Sequence, residues 1–166
     1  MTTFMKMFLT ELEQESIGTR KMLALFPADK TDWQPHVKSM KMKDLAIQIA
    51  DLPTWITLGL TTDELDFGVS PYNPQNCNTA EELVNYFDKN VAEAKDYLAK
   101  TEDTILEELW TLRSGEAIYM QMSKLATIRH AFCQMVHHRA QLGVYLRLLD
   151  IPIPGVYGPS ADDMGM

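Results

Sequence analysis

Three polar side chains, Gln48, Gln134 and His138, fall on helix faces that are otherwise apolar. Gln134 and His138 are four residues apart, so on a helix both side chains can reach the same ligand. Gln48 follows Leu45 by three residues and precedes Leu52 by four, and it therefore shares their inward face. Two residues from one helix and a third from a facing helix can together hold a divalent cation.

The donor types in this set argue against tight binding of zinc or nickel. Amide oxygens are poor ligands for these ions compared with imidazole nitrogen, and Glu15 is the one inward carboxylate that could compensate. His130 and His137 are seven residues apart, about 10.5 Å along a helix, which is too far to chelate one ion. We favour a hydrogen-bonded polar network at these positions over a weak site for a harder, more oxygen-loving cation.

Further polar residues are predicted to line or support the same pocket. Gln141 and Tyr145 continue the polar stripe of the last helix, and Glu15 and Thr19 interrupt the apolar face of the first.

Arg139 stands in the apolar stripe of the last helix, where an unpaired guanidinium would be very costly. It therefore requires an acidic or carbonyl partner. Glu15 is one candidate, and Asp162 and Asp163 are others if the C-terminal tail folds back over the helices.

The elements that position these residues are predicted from the spacing of apolar side chains. Apolar residues recur at three- and four-residue intervals in four segments, at residues 4–26, 39–55, 79–98 and 123–149. Ser39 is predicted to cap the second helix, which bends near Pro53. Thr79 followed by Glu82 predicts a capping box for the third.

Residues 101–120 show a weaker pattern and leave two alternatives open. Ser114 and Gly115 allow either a short β-hairpin between Trp110 and Met120 or a break between two helical turns. From Ile151 onward, prolines and glycines predict an irregular tail along the surface. Because no other segment has a comparable strand pattern, we predict an all-α fold, an up-down-down-up four-helix bundle forming one domain over residues 1–166.

Composition excludes several classes of function. The 166 residues carry a formal charge of −8, and the clustered lysines and arginines that bind nucleic acid are absent. No segment approaches the roughly 18 uninterrupted apolar residues of a membrane span, and the first residues do not form a secretory leader, so a cytoplasmic protein is expected. Cys77 and Cys133 are predicted to be free thiols. The tryptophan and phenylalanine content is compatible with a homodimer.

One set of motifs extends through the last helix and the tail. It comprises His137, His138, Arg139, Ala140, Gln141 and Leu142, then Tyr145, Leu146 and Arg147, then Pro152, Pro154 and residues 157–162. These residues resemble the C-terminal signature of the DinB/YfiT-like family. Residues 45–55, Glu15, Thr19 and the connector at residues 33–39 are also similar, so the resemblance covers nearly the whole chain.

The resemblance implies a site of three histidines that binds a divalent metal, with one ligand from the second helix and two from the last. Those positions fall on Gln48, Gln134 and His138, of which only His138 is a histidine. Some relatives use the metal to lower the pKa of a low-molecular-weight bacterial thiol, whose thiolate then attacks an electrophile or drives an isomerisation.

Two functions follow from this resemblance. One is a metal-assisted, thiol-dependent transferase or isomerase, with His138 as the surviving ligand. The other is a non-catalytic, stress-associated or small-ligand-binding protein that has kept the pocket and holds either no cofactor or a weakly bound divalent metal. We favour the second, because two of the three imidazoles are missing.

Overall fold

Five α-helices and three short β-strands lie within residues 3–165, the part of the chain that the computed structural model describes. The helices are α1 (Thr3–Leu23), α2 (Met42–Asp51), α3 (Pro53–Thr61), α4 (Ala80–Lys100) and α5 (Lys124–Leu148). The strands are β1 (Glu64–Asp66), β2 (Leu109–Ser114) and β3 (Ala117–Ser123). Short 3-10 turns occupy Ala28–Lys30 and Asp103–Ile105.

Local sequence signals set several helix ends. The Thr79 side chain accepts a hydrogen bond from the Glu82 backbone N–H, and the Glu82 carboxylate accepts one from the Thr79 backbone N–H, which confirms the predicted capping box of α4. Pro53 begins α3 directly after Leu52, so the second predicted helix is divided in two there. The prediction that Ser39 caps this helix is wrong, because α2 begins after Lys41, which makes no side-chain cap.

Apolar faces of all five helices meet in one core. The α4 and α5 helices each pack against α1, α2 and α3. Leu12, Leu45, Phe87 and Leu142 are fully buried at these contacts, and each contributes roughly 1.5–3 kcal/mol by burial. No helix within the described residues is long and apolar enough to cross a membrane.

The all-α prediction is wrong, because the chain also forms a three-stranded mixed sheet in the order β1-β2-β3. The β1 strand is parallel to β2, with Glu64 opposite Thr111, and β2 is antiparallel to β3. Gly115, at φ +58°, turns the hairpin between β2 and β3, so the hairpin is the correct alternative for residues 101–120. The β1 strand was not predicted because three residues are too few to show an alternating pattern of apolar and polar side chains, and its partner β2 lies far along the chain.

The tail after α5 runs along the helices without regular structure. Ile151 and Ile153 pack on the edge of the core. Asp162 pairs with Arg147 at 2.7 Å, and the Asp163 carboxylate accepts hydrogen bonds from backbone N–H groups of the tail itself. The Asp162–Arg147 pair holds the tail against the C-terminal half of α5, and the Asp163 hydrogen bonds fix the fold of the tail itself.

Candidate functional site

A cavity of about 490 Å³, which we call the α2–α5 cavity, lies between α2, α3, α5 and the sheet. The helices contribute polar and aromatic side chains to the wall. The β2 strand and the loop after β1 close the opposite side. Its lining residues are Gln48, Asp51, Leu52, Trp55, Phe67, Tyr72, Leu112, His130 and Gln134. Leu112 of β2 and the loop residues Phe67 and Tyr72, which follow β1, therefore complete this cavity.

Gln48 and His138, on facing helices, are hydrogen-bonded to each other. The Gln48 side-chain nitrogen lies 3.2 Å from Nε2 of His138, and Oε1 of Gln141 lies 2.8 Å from Nδ1 of the same ring. Because an amide oxygen can only accept, Nδ1 carries the proton, and Nε2 accepts the hydrogen bond from Gln48. Burial is the main reason that the pKa of His138 lies below its ordinary value, and the hydrogen bond to Gln141 opposes it.

Gln134 forms a second pair on α5 itself. Its side-chain nitrogen lies 3.3 Å from Nε2 of His130, one helical turn earlier. The three family ligand positions are thus divided between two hydrogen-bonded pairs, Gln48 with His138 and Gln134 with His130.

This arrangement does not fit a tightly held divalent metal. Within residues 3–165, no group of three or more histidine, cysteine, aspartate and glutamate side chains is placed to hold a metal ion. At the Gln48–His138 pair, an amide N–H engages the ring nitrogen that a metal would need. Neutral amide oxygens add little affinity for zinc or nickel.

A buried carboxyl group forms another part of the cavity wall. Asp51 is 7% exposed and accepts a hydrogen bond from the hydroxyl of Tyr86. Burial raises the pKa of Asp51, whereas hydrogen bonds from Tyr86, Tyr72 and Thr54 act in the opposite direction. Burial and the Asp51 carboxyl together raise the pKa of Tyr86 to about 12. None of the ion pairs found in residues 3–165 involves Asp51.

Three of the residues predicted to line or support the pocket form a separate cluster. The Arg139 guanidinium, 3% exposed, pairs with the Glu15 carboxylate at 2.6 Å and donates to the Thr19 hydroxyl at 3.1 Å. Tyr157 from the tail accepts from Arg139 at 2.8 Å and donates to Glu15 at 2.9 Å. Glu15 is thus the partner of Arg139 among the candidates that the sequence left open.

The two remaining predicted residues have supporting contacts. The Gln141 side-chain oxygen accepts a hydrogen bond from Nδ1 of His138. Tyr145 is buried, its hydroxyl donates to the Met40 carbonyl at 3.2 Å, and its ring meets the ring of Trp33 edge-on. Neither side chain lines the α2–α5 cavity.

Sequence reasoning missed Asp51, Tyr72 and His130 as parts of the cavity. Spacing held a signal for two of them, since Asp51 follows Gln48 by three residues and His130 precedes Gln134 by four. Tyr72 lies in the loop between β1 and α4, where no periodicity predicts which way a side chain points.

Three solved structures are similar to this chain in fold. A DinB-like protein from Bacillus subtilis has a TM-score of 0.70 and 13% identity, covering 90% of this chain and 97% of that one. A DinB-like protein from Bacillus cereus gives 0.67 and 18%, covering 90% and 95%. A putative DinB family member from Exiguobacterium sibiricum gives 0.65 and 21%, covering 93% and 97%. At these identities the likeness shows the fold alone.

The DinB family model matches residues 1–165, and the chain belongs to the DinB family. The resemblance seen in the sequence is confirmed. No curated protein matches the chain.

Proposed function

We propose that this DinB family protein binds a small polar organic molecule in the α2–α5 cavity and does not use a catalytic divalent metal. The observation that carries the proposal is the 3.2 Å contact between the Gln48 amide nitrogen and Nε2 of His138. An N–H donor directed at the ring nitrogen stabilises a neutral imidazole without a metal. With Gln141 on the other nitrogen, both polar atoms of the ring have partners.

The cavity has the composition of a small-molecule site. Such sites combine apolar and aromatic walls with a few polar groups that fix the orientation of the ligand. Here Leu52, Trp55 and Leu112 supply apolar surface, and Gln134 and Asp51 supply polar groups. A volume of about 490 Å³ lies within the usual range for such a site.

Metal content tests the first half of the proposal. Protein purified without a chelating column and then incubated with zinc or nickel should carry far less than one equivalent by mass spectrometry after desalting. The Gln48→His plus Gln134→His double variant should gain metal, because it restores three imidazoles at the family positions. Gln14→His plus Gln121→His adds two histidines at exposed positions and serves as the matched control. Stoichiometric metal in the wild-type protein would overturn the proposal in favour of a metal-assisted enzyme.

Ligand binding tests the second half. A library of small polar molecules, screened by ligand-observed NMR, should yield compounds that bind the wild-type protein. Leu112→Trp, which places a large ring in the cavity wall, should abolish binding. Leu109→Trp lies on the same strand but at an exposed position outside the cavity, and it should leave binding unchanged. Equal binding by both variants would show that the ligands occupy another surface.

A further inference from the structure

We propose that the α2–α5 cavity selects small organic cations, with the carboxylate of Asp51 as counter-ion and three aromatic rings as walls. This inference rests on the proposed function, since it names the class of ligand for the same cavity. It depends on the charge balance of the cavity and on the kind of surface around Asp51.

The carboxylate of Asp51 is buried without a basic partner. It is 7% exposed, it lines the cavity, and no ion pair within residues 3–165 includes it. The hydroxyls of Tyr86, Tyr72 and Thr54 stabilise it by hydrogen bonds but bring no positive charge. Because a carboxylate has about four acceptor positions, it can accept these bonds and still face a ligand. A cation in the cavity would compensate a charge that the protein leaves unbalanced.

Aromatic rings surround the same space. Trp55, from the first turn of α3, and Phe67, just after β1, both line the cavity with Asp51. Tyr72 also lines it and is 52% exposed, which places this ring where the cavity meets solvent. The faces of aromatic rings attract cations, and the attraction grows as water is excluded.

The remaining polar groups do not oppose a cation. Gln48 and Gln134 are neutral amides, and the lining includes no lysine or arginine. His130, whose Nε2 accepts from Gln134, is the one imidazole in the wall. An anionic ligand would meet the Asp51 carboxylate with no fixed positive charge in the cavity wall to offset the repulsion.

Two probes that differ only in charge test the inference. Choline carries a quaternary nitrogen, and in its uncharged isostere a quaternary carbon replaces that nitrogen. Binding of each probe to the full chain is measured by calorimetry, with tryptophan fluorescence as a second readout because Trp55 lines the cavity. We expect choline to bind at least about tenfold more tightly than the isostere, a ratio equivalent to about 1.4 kcal/mol.

Two matched variants locate the charge that matters. Asp51→Asn keeps the shape of the side chain and an oxygen for Tyr86, and it should lower the affinity for choline by about tenfold while leaving the isostere unchanged. Asp44→Asn removes the same charge from an exposed position of α2 and should have no effect. Circular dichroism checks that both variants are folded. If Asp51→Asn does not fold, the comparison of the two probes on the wild-type protein still decides.

The outcomes separate this inference from the proposed function. Equal affinities for choline and its isostere would overturn the cation inference and leave a small-molecule site in place. Failure of both probes, with neutral compounds from the NMR screen still binding, would also overturn it. Failure of the probes and of the whole screen would overturn both proposals.

Discussion

Replacing Glu15 with alanine would leave the guanidinium of Arg139 buried without a counter-ion. Arg139 is 3% exposed, and the Glu15 carboxylate is its partner at 2.6 Å. Breaking a buried ion pair from one side costs about 3–5 kcal/mol. Three neutral acceptors would remain, namely the backbone carbonyl of residue 15 and the hydroxyls of Thr19 and Tyr157. We therefore expect the lower end of that range, about 3 kcal/mol.

The free energy of unfolding is measured by urea titration followed by far-UV circular dichroism at neutral pH. A loss of about 3 kcal/mol should also lower Tm by roughly 6–12 °C for a chain of this length. Glu13→Ala is the control, because Glu13 forms an exposed pair with Lys95 at 2.9 Å. Such exposed pairs contribute less than about 1 kcal/mol.

A second substitution tests the physical reason. In the double variant Glu15→Ala plus Arg139→Met, both charges are gone, so its loss of stability should be smaller than the sum of the two single losses. If Glu15→Ala costs no more than Glu13→Ala, the Arg139 guanidinium is well hydrated in solution. The reasoning from its burial would then be refuted.

Three further predictions concern caps, turns and pH. Thr79→Ala removes the cap of α4 and should cost about 1 kcal/mol in urea unfolding. Gly115→Ala, at φ +58°, should cost about 1–2 kcal/mol in the same assay, whereas Gly158→Ala, with open space and no positive φ, should be neutral. The pKa of His138 is lower in the folded protein than in the unfolded chain, so the unfolded chain protonates this histidine more readily. The contribution of His138 to stability is therefore present above the unfolded pKa and is lost as the pH falls through the folded pKa. His138→Gln should therefore flatten the dependence of stability on pH between pH ~7.5 and ~5.

The long helices could be predicted from sequence because each repeats its signal many times. In α4, Leu83, Phe87, Val91 and Leu98 all lie on one buried face, so no single exception can hide the period. The strands of the sheet give a much weaker signal in the sequence. The β3 strand exposes Ile118 and Tyr119 side by side, so its apolar residues do not alternate as those of a half-buried strand would.

The candidate site was predictable to the extent that it lies on helices. The inward positions of Gln48 and the polar stripe of α5 follow from helical spacing, as does the need of Arg139 for an acidic partner. The walls at Phe67, Tyr72 and Leu112 come from a loop and from strands that pair across long separations in the chain. Such pairings depend on tertiary packing, which local propensity does not encode.

The parallel pairing of β1 with β2 has a consequence for the order of folding. Glu64 and Thr111 are separated in the chain by the whole of α4, so their pairing closes a long loop. Contacts of this separation carry a high entropic cost until the rest of the protein is in place. We expect the helices to assemble first and the sheet side of the α2–α5 cavity to form last. Amide hydrogens of β1 and β2 should therefore exchange through opening reactions of lower free energy than those of α4. The α2–α5 cavity would then be the last part of the fold to take its final shape.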